Sequence, residues 1–173
     1  MTDARSTGGQ NKSGSGAGGA RSAARLAAVQ ALYQIESNDE EAGVVVREFI
    51  AHRLGSEIEG DLYITADQEY FADIVVGVGQ RLEEIDGHIS AALSPGWSLG
   101  RLERILRALL RVGTYELIAR PDVPTKVVID EYVDVAHAFF SEKEPGFVNG
   151  VLDKLSQVIR GGGQTPDNKK ARA

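Results

Sequence analysis

The sequence predicts an all-α protein, a single compact bundle of about six to seven helices. Hydrophobic residues recur with helical spacing in nearly every segment between 22 and 160. Prolines and glycines interrupt this pattern at 95–96, 121 and 124, where they end helices. The β-branched runs 44–46 and 127–129 are compatible with strands, but their flanks continue the 3.6-residue period, which favours helix.

Six segments carry this periodicity. The first has Ser22 as its candidate N-cap. The third starts at Thr65, because Thr65-Ala66-Asp67-Gln68 has the form of a capping box, and we expect an interruption near Gly87. The predicted helices cover about 22–36, 40–54, 65–92, 99–119, 125–140 and 146–160.

The chain divides into one folded domain and two tails. Residues 1–20 are rich in Gly and Ser and bury too little apolar surface to offset their ordering entropy, so we expect them to be disordered. Residues 161–173 begin with three glycines and end in a basic run, which predicts a flexible tail. The helical domain is expected over 21–160.

The sequence predicts a cytoplasmic protein. There is no cysteine, so disulfides and thiolate sites are excluded. The N-terminus lacks the apolar segment of a secretory signal, and no apolar run has the length of a membrane span. We expect no membrane association.

The charge is unevenly distributed. The net charge is −6, yet residues 1–28 and 160–173 each carry +3, which leaves −12 on the segment between them. Basic ends on an acidic body suit a local nucleic-acid contact, although charged tails also simply favour solubility. Residues 36–69 hold ten acids against two arginines, and we expect a basic protein partner to dock there.

The predicted helix 99–119 separates its side chains into a basic face and an apolar face. At 100° per residue its arginines lie on one side, and its leucines, Ile105 and Val112 lie on the other. The planar guanidinium donates two hydrogen bonds to one phosphate, which favours nucleic-acid contact. Ion pairs with acids of the same protein are the alternative interpretation. The basic face consists of Arg101, Arg104, Arg107 and Arg111.

No pattern indicates an enzyme, a metal or a cofactor. The three histidines are far apart in the sequence and form no helical ligand pair. Asp130 and Asp134 lie one turn apart, as expected for a solvated helix face. Gly77-Val78-Gly79 lies inside a helical pattern without the strand and lysine of a phosphate loop. Trp97 is able to stack on a base, but we interpret it as a packing wedge between helices.

Three stretches resemble the NusB family, and together they span about 21–160. The first is Ala28-Val29-Gln30-Ala31-Leu32-Tyr33, and the second runs from Ile105 to Leu117, ending in Tyr-Glu-Leu. The third and most specific begins at Val123-Pro124 and ends in the run Phe-Val-Asn-Gly-Val-Leu-Asp-Lys, residues 147–154.

The resemblance implies a function as well as a fold. NusB proteins are all-helical, with two small subdomains, and are not enzymes. They bind single-stranded boxA RNA together with NusE, a protein of the small ribosomal subunit. The complex joins RNA polymerase during ribosomal RNA transcription and suppresses premature termination. Some members form homodimers. The alternative for this chain is a protein-interaction module of the same fold without RNA binding.

Several residues match positions that contact RNA in the family. Arg21 and Arg25 occupy the arginine-rich start of the first helix, but Ser22, Ala23 and Ala24 replace further arginines, which weakens the electrostatic contribution. Arg104 and Arg107 rest on the basic face alone. The predicted RNA-binding residues are Arg21, Arg25, Tyr33, Arg104, Arg107, Arg111, Phe147 and Asn149.

Structural roles compete with RNA contact at some of these positions. Tyr33 and Phe147 are also compatible with core packing, since both continue an apolar pattern. Asn149 is able to bind the backbone where the last helix begins. We assign three other motif residues to structure rather than to RNA: Tyr115, Glu116 and Asp153.

Overall fold

The computed structural model describes residues 16–54 and 66–161. Over these ranges the chain forms seven α-helices and one 3₁₀ helix and contains no strand, which confirms the all-α prediction. The α-helices are α1 (Gly16–Asn38), α2 (Ala42–His52), α3 (Gln68–Gln80), α4 (Leu82–Ala92), α5 (Arg104–Ala119), α6 (Thr125–Phe139) and α7 (Glu144–Ile159), and the 3₁₀ helix is Leu99–Arg101.

Helix α5 is the centre of the bundle. Every side chain from Leu106 to Leu110 and from Val112 to Leu117 is buried. It packs against five other helices, α1, α3, α4, α6 and α7. Side chains around most of the circumference of α5 are therefore covered by neighbouring helices, which is typical of a central helix. Thus α5 joins a group formed by α1, α2 and α3 to a group formed by α4, α6 and α7.

Helix α1 starts earlier than the sequence predicts. It begins at Gly16, so residues 16–20, which we assigned to the N-terminal tail, are helical. The carbonyl of Ala20 accepts a hydrogen bond from the backbone N–H of Asp67 at 3.0 Å, which fixes this turn against the start of α3. Ser22 is therefore inside the helix and not its N-cap. Its hydroxyl donates to the carboxylate of Glu131 on α6 at 2.9 and 2.8 Å.

The predicted helix 65–92 is two helices. Asp67 caps α3 by accepting a hydrogen bond from the N–H of Tyr70 at 3.0 Å, while Thr65 lies outside the described residues. The break falls at Arg81, whose φ of −117° and ψ of 22° leave the helical region, and the prediction of an interruption near Gly87 is wrong. Periodicity does not reveal this break, because Val78, Ile85 and Ile89 stay in phase across it. The break lets the two helices pack on different neighbours: α3 contacts α1 and α2, whereas α4 contacts α7.

The predicted helix 99–119 is also interrupted. Leu102 and Glu103 are extended, with ψ of 147° and 145°, so Arg101 belongs to the 3₁₀ helix and not to α5. The guanidinium of Arg107 donates to the carbonyls of Leu99 and Leu102 at 3.1 and 3.0 Å. These bonds satisfy carbonyls that a continuous helix would have used, and they hold the 3₁₀ helix against α5.

The remaining helices match the predictions closely. Helices α2, α6 and α7 begin and end within two residues of the expected bounds. The predicted tails over 1–15 and 162–173 lie outside the described residues. Among the helices of the described ranges, none combines the length and apolar character needed to cross a membrane.

Candidate functional site

A buried cluster of polar side chains joins α1 to α5. Arg25 is 2% exposed and donates to both carboxylate oxygens of Glu116, from Nε at 2.8 Å and from Nη2 at 3.0 Å. Tyr70 of α3 and Tyr132 of α6 donate their hydroxyls to the same carboxylate. Glu116 is fully buried. Its charge is matched by one guanidinium and its remaining acceptor sites by two hydroxyls, which is what makes a buried ion tolerable. One carboxylate therefore fixes four helices.

This cluster changes the role of Arg25. Its guanidinium faces the core, where Nη1 also lies 3.6 Å from Glu131 and Nη2 donates to the hydroxyl of Tyr70 at 3.1 Å. Arg25 borders the cavity beside Arg21, but with 2% exposure it offers almost no surface to a phosphate. In the conformation of the structure, Arg25 positions the start of α1 rather than presenting a charge to a ligand.

The tyrosines of the core bind their protons more tightly than free tyrosine does. Burial, together with the hydrogen bond to Glu116, raises the pKa of Tyr70 to about 12. Burial and the hydrogen bond that Tyr115 donates to Asp73 at 2.9 Å raise the pKa of Tyr115 to about 12 as well. Burial beside Glu116 also raises the pKa of Tyr132 well above its ordinary value.

We expect stability to fall steeply in alkaline solution. A folded-state pKa above the unfolded value of about 10 gives stabilisation that is complete below pH 10 and is lost as pH rises through about 12. At pH 11 the loss for Tyr115 alone amounts to roughly 1 kcal/mol. Urea unfolding followed by circular dichroism at pH 8, 9, 10 and 11 measures it. Tyr115→Phe should show a shallower decline than the unmodified protein, and parallel declines would contradict the assignment.

Two partly buried arginines lie against the ring of Tyr70. The guanidinium carbons of Arg21 and Arg120 are 4.7 and 4.6 Å from the ring centroid, a distance typical of cation–π contact. Nε of Arg120 has no hydrogen-bond partner within the described part of the chain. Arg21 opens onto a cavity of about 540 Å³ whose wall also includes Asp122 and Glu131. The mixture of charges in this wall favours only modest affinity for a lone phosphate.

The predicted basic face of α5 is largely engaged in ion pairs. Arg107 is buried and donates to Glu36 of α1. Arg111 donates to both oxygens of Asp86 of α4 at 2.8 and 2.9 Å, and its Nη1 lies 3.6 Å from Glu36. These two arginines link α1, α4 and α5. They correspond to the alternative interpretation of the basic face, in which arginines pair with acids of the same protein.

Tyr33 and Arg104 lie in a different place, a groove of about 800 Å³ between the end of α1, the start of α5 and the end of α6. Tyr33 is 44% exposed, so it is not a core residue. Nη1 of Arg104 donates to Ser37 Oγ at 3.3 Å. The groove also exposes Phe139. It therefore presents two aromatic rings beside a cation.

The residues of the last motif point in different directions. Phe147 is half-buried in α7, and its ring centroid is 6.0 Å from that of Trp97. Trp97 is 57% exposed, so its interpretation as a packing wedge is wrong. Asn149 is exposed but lies about 200° around the helix from Phe147. Phe147 and Asn149 therefore do not share one surface.

Comparison with known proteins identifies the family. The family model described as NusB matches residues 22–157.

The chain belongs to the NusB family.

Curated NusB proteins match nearly the whole folded part of the chain. The transcription antitermination protein NusB of Novosphingobium aromaticivorans is 54% identical over 143 residues, which cover 83% of this chain and 97% of that protein. The protein of the same name from Rhizobium rhizogenes is 49% identical and covers 82% of this chain and 88% of its own length. The chain is thus a transcription antitermination factor of the NusB family.

Solved NusB structures share the fold. The NusB of T. maritima aligns with a TM-score of 0.66 at 34% identity, covering 79% of this chain and 90% of that one. A crystal structure of the antitermination factors NusB and NusE in complex with double-stranded RNA contains a chain that aligns with a TM-score of 0.67 at 28% identity. The alignment covers 80% of this chain and 96% of the other.

In this NusB-family chain the predicted RNA-binding residues are distributed over the molecule. Arg21 is at the start of α1, Tyr33 and Arg104 share the groove, and Phe147 is on α7. Sequence reasoning did not find the contacts that Tyr70, Tyr132 and Arg120 make around Glu116 and Arg25. Hydrophobic periodicity within one helix cannot reveal these contacts, because Tyr70 and Tyr132 come from different helices and Arg120 lies at the end of a third.

Arg160 is another residue whose role the sequence concealed. We counted it with the basic C-terminal segment, yet its guanidinium donates to backbone carbonyls at the end of α5 and in the following turn. These include Leu117 at 3.0 Å, Arg120 at 2.8 Å and Val123 at 2.7 Å. The last carbonyls of a helix have no partner within it. Arg160 supplies that partner and fastens α7 to α5.

The part of the chain that the structure describes contains no group of three or more His, Asp or Glu side chains able to hold a metal ion. The surface features described above are cation–π contacts, the contact between the exposed Trp97 and the half-buried Phe147, and a groove.

Proposed function

We propose that this protein is a cytoplasmic RNA-binding adaptor. It binds single-stranded boxA RNA together with NusE and joins RNA polymerase during ribosomal RNA transcription. The observation that carries the proposal is the fold likeness, over 80% of this chain, to a chain of the solved complex of NusB and NusE with double-stranded RNA. The single-stranded boxA target and RNA polymerase are what the family resemblance implies. The mechanism is assembly, because the protein contributes contacts rather than chemistry.

Arg21 is the first RNA contact of the proposal. It is the cation at the start of α1 that remains accessible, and its stacking on Tyr70 orders the side chain before RNA arrives. Ordering a guanidinium in advance reduces the entropy lost on binding. Phe147 adds a ring on which a base stacks. Asn149 would have to act on a separate surface of α7.

The groove is the proposed docking site for NusE. Its aromatic residues Tyr33 and Phe139 are exposed, and aromatic side chains are enriched at protein interfaces. The groove wall carries the charged residues Arg53, Glu103 and Arg104. The carboxylate of Glu40 accepts hydrogen bonds from Gln34 and Asn38, which also line the groove. We assign Tyr33 and Arg104 to this interface, and Arg25, Arg107 and Arg111 to supporting the fold.

Because few arginines of this chain are free to contact RNA, we expect RNA binding to depend on NusE. The cavity beside Arg21 mixes arginines with Asp122 and Glu131, so RNA binding by this chain alone should be weak. A partner bound in the groove adds its own cations near the RNA. Linkage then requires that each ligand strengthens the other. The alternative, a protein-interaction module without RNA binding, is favoured by the ion pairs that occupy Arg25, Arg107 and Arg111.

Fluorescence anisotropy of a short labelled boxA RNA, beside a scrambled RNA, tests the proposal with and without NusE. We expect tighter, sequence-dependent binding when NusE is present. Arg21→Glu should weaken binding at least about tenfold through loss of a charged hydrogen bond. It should also reduce the salt slope by about one unit.

Arg81→Glu is the matched control. Arg81 is at the opposite end of α3 from Asp67, and its exposed ion pair with Glu84 contributes little to stability. It makes the same charge change away from the cavity and should leave RNA binding unchanged. Equal affinity for both RNAs, with NusE still captured, would support the protein-interaction module instead.

A further inference from the structure

The chain leaves α7 beside the cavity onto which Arg21 opens. The guanidinium of Arg160, the residue that follows α7, donates to the carbonyl of Val123 at 2.7 Å. Val123 belongs to the wall of this cavity, as do its neighbours Asp122 and Pro124. The chain beyond α7 therefore starts within the reach of one arginine side chain from the cavity wall.

We propose that residues 162–173, the basic segment, dock in this cavity as an intramolecular ligand and place a lysine or arginine side chain against its acidic wall. The basic segment lies outside the described residues. It has one acid, Asp167, and three cations, which are Lys169, Lys170 and Arg172. Docking itself does not depend on the proposed function, although its effect on RNA binding does.

The wall of the cavity carries more negative than positive charge. It contains two guanidiniums, and that of Arg25 is already paired with Glu116. Arg21 thus stands alone against three carboxylates, and one positive charge against three negative ones leaves −2. The carboxylates are those of Asp67, Asp122 and Glu131. Such a wall favours a cation over a phosphate.

Asp122 is the carboxylate best placed to receive the cation. Its side chain is 60% exposed, and its Oδ1 lies 3.7 Å from Nε of Arg120, which is too far for a hydrogen bond. Glu131, in contrast, accepts the hydroxyl of Ser22 and lies 3.6 Å from Arg25. An exposed carboxylate with open acceptor sites gains charge-assisted hydrogen bonds from a lysine or an arginine.

The cavity also offers apolar surface to the stem of a long cationic side chain. Its wall includes Val127, which is 41% exposed, together with Ala20 and Pro124. Lysine and arginine bury their methylene groups against apolar surface while their charged ends remain near acids or water. A phosphate has no such group. The combination of apolar and acidic surface therefore fits a basic peptide.

The length of the basic segment suits this docking. Eight residues lead from Gly161 to Lys169, and they span up to about 26 Å when extended, at about 3.3 Å per residue. A cavity of about 540 Å³ is much narrower than that. A ligand tethered by a short linker has an effective concentration on the order of millimolar, so a few modest contacts suffice to hold it.

Engineered disulfides test the docking, because the chain has no cysteine of its own. Val127→Cys places a thiol in the cavity wall, and Ala171→Cys places one between two cations of the basic segment. The full chain with both substitutions is equilibrated in a glutathione redox buffer, and mass spectrometry measures the fraction with an intramolecular disulfide. This fraction gives the effective concentration of the two thiols.

Val158→Cys with Ala171→Cys is the matched control. Val158 is exposed on α7 and is only 13 residues before Ala171, so a basic segment that does not dock meets it at least as readily as Val127. We expect the Val127 pair to have an effective concentration about tenfold above that of the control. Adding Asp122→Asn should lower the excess by about threefold, as for a partly exposed ion pair, and high salt should lower it as well.

Under the proposed function, docking supports RNA binding, because cations against the acidic wall reduce the repulsion of phosphates near Arg21. Replacing the three cations of the basic segment by glutamine should weaken RNA binding a few-fold, as measured by anisotropy with NusE present. The loss should be smaller in a chain that already carries Asp122→Asn. A segment that acts only through its overall charge would give the same loss in both chains.

The outcomes separate this inference from the proposed function. Equal effective concentrations for the two cysteine pairs, or an excess that Asp122→Asn and salt leave unchanged, would overturn the docking. Disulfide-linked dimers whose yield rises with protein concentration would assign the basic segment to a second molecule and overturn it as well. RNA plays no part in the disulfide measurement, so absence of boxA binding would overturn the proposed function and leave the docking intact.

Discussion

Replacing Glu116 by glutamine is expected to destabilise the protein by about 3–5 kcal/mol. The substitution keeps the size of the side chain but removes the charge that compensates Arg25, which stays buried with 2% exposure. Nη1 of Arg25 lies 3.6 Å from Glu131, and this distance is too long to replace the paired hydrogen bonds of 2.8 and 3.0 Å. Urea unfolding at pH 7, followed by circular dichroism, measures the loss.

Two further variants test whether the unpaired buried charge of Arg25 causes this loss of stability. Glu84→Gln removes one partner of the exposed pair Arg81–Glu84 and should cost less than about 0.5 kcal/mol. The double variant Arg25→Met with Glu116→Leu removes both buried charges, and it should recover much of the stability, because an apolar pair carries no desolvation cost. A loss below about 1 kcal/mol in Glu116→Gln would show that the cluster does not hold the bundle together.

The start of α1 depends on the same cluster. Arg21 is one turn before Arg25, and both guanidiniums lie against the ring of Tyr70. When Glu116 no longer fixes Arg25, α1 loses its main contact with α5 at this end. Under the proposed function, Glu116→Gln should therefore also weaken RNA binding at temperatures where the protein remains folded.

Substituting alanine for Gly77 is expected to destabilise the protein by about 2–3 kcal/mol. A Cβ at this position would be 2.2 Å from Cζ and 2.3 Å from Oη of Tyr115. The ring of Tyr115 is 5% exposed and packed inside the bundle, so it cannot move aside at low cost. Displacing it also breaks the hydrogen bond of its hydroxyl to Asp73. The midpoint of urea unfolding reports the change.

Gly79 gives a control two residues later in the same helix. It is exposed, and an added Cβ there would meet no atom within 4 Å. Gly79→Ala should therefore raise stability by about 0.5–1 kcal/mol through helix propensity alone. A second control combines Gly77→Ala with Tyr115→Leu, which removes the ring and should cost less than the separate effects combined. Equal effects of the two glycine substitutions would contradict the close contact.

Helix positions were predictable where one face of a segment is apolar and breakers mark its ends. Helix α6 is an example, since Pro124 precedes it and Val128, Tyr132 and Val135 follow the helical period on its buried side. The break at Arg81 was not predictable, because the apolar pattern is continuous across it. The interruption before α5 was hidden for the same reason: Leu102, which is buried in the structure, also fits the apolar face of a continuous helix.

The accessibility of charged residues was the least predictable property. A helical wheel assigns Arg104, Arg107 and Arg111 to one face, but it cannot place acids of other helices beside them. Glu36 and Asp86 come from α1 and α4, and they occupy two of these three arginines. Similarly, Arg25 has the position of an RNA contact in the family motif, while Glu116, 91 residues away, holds it in the core.

By itself, the sequence determined the helical class, the helix order and the family, because local periodicity, proline and glycine positions and short motifs are properties of neighbouring residues. The tertiary structure decided which cations remain free, which aromatic rings face solvent and where a glycine is indispensable. Those properties depend on contacts between residues far apart in the chain, such as Arg25 with Glu116, Trp97 with Phe147 and Gly77 with Tyr115. Burial and pairing between distant segments arise only when the helices pack.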